Sequence, residues 1–423
     1  MAARDKVDDT HEPTAAAARG AFEAHEVEMA DKQAHTPLPE QVDIAVIGGG
    51  AVGLAAAIAL SRQGWDVALV GPPAGRRDGR TVALMEGSLR ILDDLGVWSA
   101  LAPIASPLAT LTIIDDTGGL FRAPPVSFHA GELGLDAFGQ NIEVASLTEA
   151  LSDAADRRPG LTRVDALATR VSLGADGGEV TLATGGTLRA SLLVGAEGRE
   201  SLVRDAAGID ARRWSYPQTA LTAILAHDRP HHDASTEFHT RQGPFTLVPM
   251  QENRSSLVWL VEPARAEQLA ALDDEDFAAV VERQAQSMLG RMRVDGPRGA
   301  VPMSGLSVSR FTGERCAVIG EAAHVFPPIG AQGLNLGFRD VAALAKATGP
   351  VGSDPGAAAR LASFDRARRL DVATRTAAVD ALNRSLLAGF LPVDMARGLG
   401  LMALLAIGPL RRFAMRQGLG LNA

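Results

Sequence analysis

The sequence predicts an α/β chain: a mostly parallel sheet carrying an antiparallel meander, a second antiparallel sheet, and helices at the C-terminus. Three observations predict it. Val42–Ile47, Ser191–Ala196 and Cys316–Ile319 are short continuous apolar runs of the kind that fill buried parallel strands. Each leads through a glycine-containing turn into a helical pattern, the alternation of an α/β fold. Between the second and third runs, residues 211–262 change to alternating apolar and polar positions, the period of an antiparallel sheet.

The elements follow in order. Val42–Ile47, a glycine turn at Gly48–Gly53, a helix of small and apolar residues at Leu54–Gln63 and a strand at Trp65–Val70 make a βαβ opening. Thr81–Gly96 reads as a helix with Leu84, Leu89, Leu92 and Leu95 on one face. Ala109–Asp115 and Gly119–Pro125 read as strands, and Ser146–Ala155 as a helix. Val164–Leu173, Glu179–Thr184 and Leu188–Ala190 form the meander, with Gly and Asp turns between them. Thr219–His227, Ser235–His239, Phe245–Pro249 and Ser256–Val261 supply the second sheet. Glu267–Leu289 and Ala357–Gln417 are helical. The expected domains are a disordered tail at 1–40, a discontinuous dinucleotide-binding unit at 42–115, 135–210 and 300–350, a substrate unit at 116–134 and 211–299, and a C-terminal helical region at 355–423.

Composition narrows the function. At 423 residues the chain can bury a large core without staples. Cys316 is its single cysteine, so no internal disulfide and no cysteine-based metal site is expected. A net charge of −9 argues against a nucleic-acid partner. The apolar run Gly398–Leu410 has 13 residues, whereas a spanning helix needs about 18. No signal-peptide core is visible near the N-terminus, and a cytoplasmic location is expected.

Three constellations carry the chemistry. Gly48-Gly49-Gly50-Ala51-Val52-Gly53 is a G-x-G-x-x-G between a strand and a helix, the context of a dinucleotide site. Its glycines allow backbone N–H groups to approach a pyrophosphate at the positive end of the helix. The acid expected about 20 residues on, to bind a ribose, is absent: the chain has Gly71-Pro72-Pro73, and Asp78 is the nearby side chain that could serve. The second constellation, Gly320-Glu321-Ala322-Ala323-His324 followed by Pro327-Pro328 and Gly330-Ala331-Gln332-Gly333-Leu334-Asn335, puts an acid at a strand's C-terminal edge and aims a helix N-terminus at the same place. The third, Gly195 to Arg204, ends a strand in Glu197-Gly198 and turns into a helix bearing Ser201 and Arg204.

Together, in this order, these motifs resemble the class A flavoprotein aromatic hydroxylases, the para-hydroxybenzoate hydroxylase-like group, and most of all its UbiH-type ubiquinone-biosynthesis branch. Arg80, Ser88, Leu95-Gly96-Val97-Trp98, Ser215-Tyr216-Pro217-Gln218 and Gly243-Pro244-Phe245 add to the likeness, which covers residues 42–423. The resemblance implies a Rossmann-like FAD-binding domain and an FAD-dependent monooxygenase that hydroxylates an aromatic ring through a flavin C4a-hydroperoxide. It implies that Gly48, Gly50, Val52 and Gly53 hold the FAD pyrophosphate and that Arg80 lies against the cofactor. Glu197 and Gly320 belong to the same site, and Glu321 bonds the ribityl chain. Gly330, Gln332, Gly333, Leu334 and Asn335 line the isoalloxazine, and the Pro328 carbonyl faces the substrate. The family pattern mostly has Asp at positions 197 and 321. NAD(P)H or an electron-carrier protein is the implied reductant, O2 the co-substrate, and a polyprenylated phenol of ubiquinone biosynthesis the implied substrate. A hydroxylase of a soluble aromatic and a flavin-poor accessory protein of a biosynthetic complex are the rivals.

Other residues admit two readings. His324 could donate to a reacting oxygen or fix the turn before Pro327; Gln332 could face the flavin or cap its helix. His227, His231, His232 and His239 lack ligand spacing and read as loop histidines, so no metal is expected. Residues 394–417 place an apolar stretch between Arg397 and Arg411, Arg412 and Arg416. That segment could lie peripherally on the inner membrane face, or pack on the catalytic body.

Overall fold

The computed structural model describes residues 38–73, 78–118, 124–327, 332–387, 400, 402–404 and 406–419. The expected tail at 1–40 lies almost wholly outside them. From Glu40 onward the chain forms one contact unit.

Its first sheet has eight strands. The run Gln41–Ile47 is central, with parallel neighbours Val67–Val70 and Thr187–Gly195; Leu161–Val164 and Cys316–Val318 extend the parallel order on either side. Ile44, Ala45 and Val46 are fully buried, as continuous apolar strands must be when both faces are covered. Leu188–Ala190 and Ser191–Ala196, two separate runs in the sequence, form one strand, Thr187–Gly195. Its flank pairs antiparallel with Gly177–Leu182, which pairs in turn with Ala168–Gly174; this is the meander. The helix Ala51–Arg62 packs on the sheet and on the helices Gln332–Thr348 and Val144–Asp156, its Ala55, Ala56 and Ala57 permitting close approach.

The second sheet has nine strands. Ala211–His227 is its spine, antiparallel to Arg254–Val261 on one side and to Gly299–Val308 on the other. Gly243–Met250, Ala234–Thr240, Thr110–Asp115 and Val126–His129 continue it outward. Thus Thr110–Asp115 and Gly299–Val308, which the sequence boundaries group with the dinucleotide-binding unit, pair in this sheet. One face is closed by the helices Pro263–Ala270 and Asp274–Gln284, over a core that includes Leu225, Phe238, Phe245, Trp259 and Phe277. The rings of Phe238, Phe245 and Trp259 meet edge to face at 5.6 and 5.2 Å.

One expected helix is shorter than its pattern. Thr81–Met85 is a strand, antiparallel to Gly139–Glu143, and the helix is Glu86–Asp94. Thr-Val-Ala-Leu-Met suits a strand, and buried Leu84 fits either period. The expected strand at Gly119–Pro125 falls mostly outside the described residues. Beyond Thr348 the long helix Ala358–Leu387 and the helix Gly408–Leu419 complete the fold.

Candidate functional site

The three sequence constellations meet at one edge of the parallel sheet. Gln41–Ile47, Thr187–Gly195 and Cys316–Val318 are adjacent and parallel, with Ile47 beside Gly195 and Gly195 beside Val318. Their C-terminal ends therefore deliver the Gly48, Glu197 and Glu321 turns to the same crevice, where open α/β sheets bind ligands.

The glycines of the first turn serve different ends. A Cβ on Gly48 would stand 2.2 Å from the Ala196 carbonyl oxygen, and one on Gly53 1.9 Å from that of Gly48. Those two glycines let the turn close against the neighbouring strand end. A Cβ on Gly50 would meet nothing within 4 Å. Gly50 is the N-cap of Ala51–Arg62, with no side chain capping that terminus. Open space at an uncapped helix N-terminus is a place for a phosphate. The Val52 side chain packs, which leaves its backbone N–H, in the first turn of the helix, as the group for a phosphate. A Cβ on Gly320 would lie 3.2 Å from its Cγ1 and one on Gly337 2.6 Å from its Cγ2. Val52 thereby locks the first motif onto the second.

The absent ribose acid has a steric counterpart. A Cβ on Gly71 would lie 2.5 Å from the Gly49 nitrogen, so the close turn leaves no room for a side chain there. Asp78 is engaged by Arg80: its Oδ1 accepts from the Arg80 N–H at 3.1 Å and its Oδ2 from Arg80 Nε at 2.6 Å. Both side chains are exposed.

The two strand-end glutamates differ. Glu197 is spent on its own helix: Oε1 accepts from the Val203 N–H at 2.9 Å and Oε2 from Ser201 Oγ at 2.8 Å. Ser201 is the N-cap of Leu202–Ala206 and accepts from the Arg204 N–H. Burial raises the Glu197 carboxyl above its ordinary range, against the lowering effect of these bonds. The structure thus makes Glu197 a cap rather than a cofactor contact. Glu321 is exposed in the short turn Gly320–Ala322, and its Oε2 lies 3.3 Å from Arg199 Nε. Arg199 Nη1 also donates to Ser304 Oγ at 3.0 Å, linking this acid to the nine-stranded sheet. Arg199 lies within the third constellation, but its partners are more than a hundred residues away and leave no local signal.

His324 is 1% exposed, with Nε2 2.6 Å from Asp340 Oδ2. A side chain so enclosed fixes its turn; it does not reach a reacting oxygen, which corrects the catalytic reading. Gly333 is exposed and Leu334 half-buried at the start of Gln332–Thr348. Asn335 ties elements together: Oδ1 accepts from the Met85 N–H and from Ser88 Oγ, and Nδ2 donates to the Ala83 carbonyl. Pro328 and Gly330 lie outside the described residues, as does the side chain of Gln332.

The C-terminal helix Gly408–Leu419 has two faces. Met415 and Leu419 pack with Val126, Phe128 and Phe138, and Arg411 Nε donates to Glu132 Oε2 at 2.7 Å. Ile407, Leu410 and Phe413 are exposed, as are Arg412 and Arg416. Among the described residues no helix is long and apolar enough to cross a membrane, and no group of three or more His, Cys, Asp or Glu could hold a metal ion.

Residues 41–379 match the FAD binding domain family. The chain is 36% identical over 388 residues to the ubiquinone hydroxylase UbiL of Rhodospirillum rubrum, covering 89% of each protein. It is 30% identical over 394 residues to 3-demethoxyubiquinol 3-hydroxylase of Escherichia coli, covering 90% of this chain and 99% of that one. Its fold is shared with p-nitrophenol 4-monooxygenase PnpA from Pseudomonas putida, at a TM-score of 0.75 and 18% identity over 90% of this chain and 99% of the other. Klebsiella pneumoniae HpxO complexed with FAD and uric acid has the same fold, at 0.72 and 20% over 89% and 96%. The open Gly50 cradle and the uncapped helix N-terminus fit the cofactor that this family binds. The chain belongs to the FAD-binding-domain family and is an FAD-dependent class A flavoprotein hydroxylase of the UbiH type.

Proposed function

We propose that this enzyme hydroxylates the aromatic ring of a polyprenylated phenol, a ubiquinone precursor, at the inner membrane surface. The observation that carries the reading is the near full-length relation to ubiquinone hydroxylases, combined with the three motifs converging on one crevice. When bound, FAD supplies the chemistry: two electrons from the reductant and O2 place one oxygen atom on the ring, and the other leaves as water.

The chain's residues bind and orient. The N–H groups after Gly50 and the helix dipole meet the pyrophosphate charge. Glu321 accepts hydrogen bonds from ribityl hydroxyls, with Arg199 holding the carboxylate toward the crevice. Gly333, exposed, and Leu334, half-buried, at the start of Gln332–Thr348 would line the isoalloxazine, as the family resemblance implies. Arg199, bonded to Glu321 and to Ser304, ties the nine-stranded sheet to this edge of the crevice. The reductant, NAD(P)H or an electron-carrier protein, arrives from solution.

The lipid character of the substrate is matched at the C-terminus. Ile407, just before the helix, and Leu410 and Phe413 within it recur every three residues and are exposed, as are Arg412 and Arg416. Such a face lies in a headgroup layer with its arginines at the phosphates. A deletion strain tests the function. It is expected to accumulate a prenylated phenol lacking one hydroxyl, relieved by the wild-type chain and not by Gly50→Asp. An unchanged quinone pool in that strain overturns the reading.

A further inference from the structure

Asp340 is fully buried in the helix Gln332–Thr348, yet it is the acceptor for three groups on two other segments. Its Oδ2 takes the Gly320 N–H at 2.9 Å and His324 Nε2 at 2.6 Å. Its Oδ1 takes Arg368 Nε at 2.6 Å, from the long helix Ala358–Leu387. Arg368, 4% exposed, also donates Nη1 to Asp371 Oδ2 at 2.6 Å. Arg339 and Arg375 reach the other oxygen of Asp371 at 3.0 and 3.1 Å. The cluster holds two carboxylates against three guanidiniums and the His324 ring.

The two groups on Oδ2 bracket a short segment. Gly320 and His324 are the first and last residues of the turn that carries Glu321. Gly320 has φ +59°, a left-handed conformation that its backbone hydrogen bond to Asp340 holds in place. His324 is fixed further by stacking on Phe326, with ring centroids 5.5 Å apart. A carboxylate buried this deeply persists only if paired; burial pushes the Asp340 carboxyl up, and its pairing with His324 and Arg368 and the Gly320 N–H hold it below the ordinary carboxylate range.

We propose that Asp340 is a positioning residue for the cofactor. It fixes both ends of the Gly320–His324 turn and so presents the Glu321 carboxylate to the crevice, and Arg368 makes the long C-terminal helix a working part of that site. The proposal rests on the assignment of Glu321 to FAD.

A double-mutant cycle tests it, with FAD dissociation constants measured by flavin fluorescence on reconstituted apoprotein. Asp340→Asn keeps the shape, removes the charge and leaves an amide facing Arg368. It is expected to raise the dissociation constant about tenfold in the wild-type background and less than about threefold in a Glu321→Ala background, because contacting networks couple. Should Asp340→Asn fail to fold, His324→Phe removes one anchor, retains a ring against Phe326 and enters the same cycle. Equal effects in the two backgrounds, or a lower apoprotein melting temperature with unchanged FAD affinity, overturn the positioning role. An FAD affinity unaltered by Glu321→Ala alone overturns the assignment of Glu321 instead.

Discussion

A Cβ on Gly337 would stand 2.6 Å from Cγ2 of Val52, so two helices from opposite ends of the dinucleotide-binding unit meet through a glycine and a stiff β-branched side chain. Gly337→Ala overpacks this contact and is expected to destabilise the protein by about 1–3 kcal/mol. Val52→Ala in the same chain opens the space again. Thermal melts with flavin-to-protein ratios check this: the double variant should recover both stability and FAD content relative to Gly337→Ala.

The turn glycines should separate folding from binding. Gly50→Asp introduces a favoured N-cap residue into open space, so apoprotein stability should hold or rise slightly. The same carboxylate repels the pyrophosphate, and FAD content should fall to near zero. Gly53→Ala, whose methyl would collide with the Gly48 carbonyl, should lose stability and FAD together. Wild-type FAD occupancy in Gly50→Asp contradicts the placement.

Glu197 makes a pH prediction. Its folded-state pKa is raised by burial, so the protonated form is favoured in the folded protein. That contribution is present below the ordinary glutamate value and is lost as pH rises through the raised one. Glu197→Gln cannot titrate. Denaturant midpoints measured upward from pH 4.5 should show wild type losing ground to Glu197→Gln until the folded pKa is passed. A constant gap across that range contradicts the burial effect.

The C-terminal helix predicts a split between binding and stability. Phe413→Asp alters an exposed position and should reduce sedimentation with anionic liposomes at little cost in melting temperature. Met415→Asp places a charge among Val126, Phe128 and Phe138 and should destabilise the fold. High salt should release part of the bound wild-type protein, since basic residues near an anionic surface contribute about 1 kcal/mol each and are screened. Equal sedimentation of wild type and Phe413→Asp removes the membrane contact.

The parts of the site that depend on local chain are legible in the sequence. Strand, glycine turn and helix follow one another within a few residues at Gly48, Glu197 and Glu321, and the apolar runs of parallel strands mark the edge they share. What long-range packing decides is not legible there. Thr81–Met85 is a strand because Gly139–Glu143 lies beside it, while Leu84 also fits a helical face. Gly299–Val308, which contains Pro302, has no strand pattern apart from its partner Ala211–His227. Glu197 sits where the family pattern has an acid, but its two oxygens face Val203 and Ser201, a matter of side-chain direction. Asp340 reaches Gly320 and Arg368 across 20 and 28 residues, through helix packing that no motif spacing encodes.

The most direct measurement is a single turnover under 18O2. Protein reconstituted with FAD and reduced beforehand is mixed with a short-tailed prenylphenol, and the product is identified by mass spectrometry. A hydroxylated ring carrying one 18O atom is predicted, and none from a Gly50→Asp sample prepared in the same way. An unlabelled product, or flavin reoxidation that yields hydrogen peroxide and leaves the phenol intact, contradicts the proposed hydroxylation.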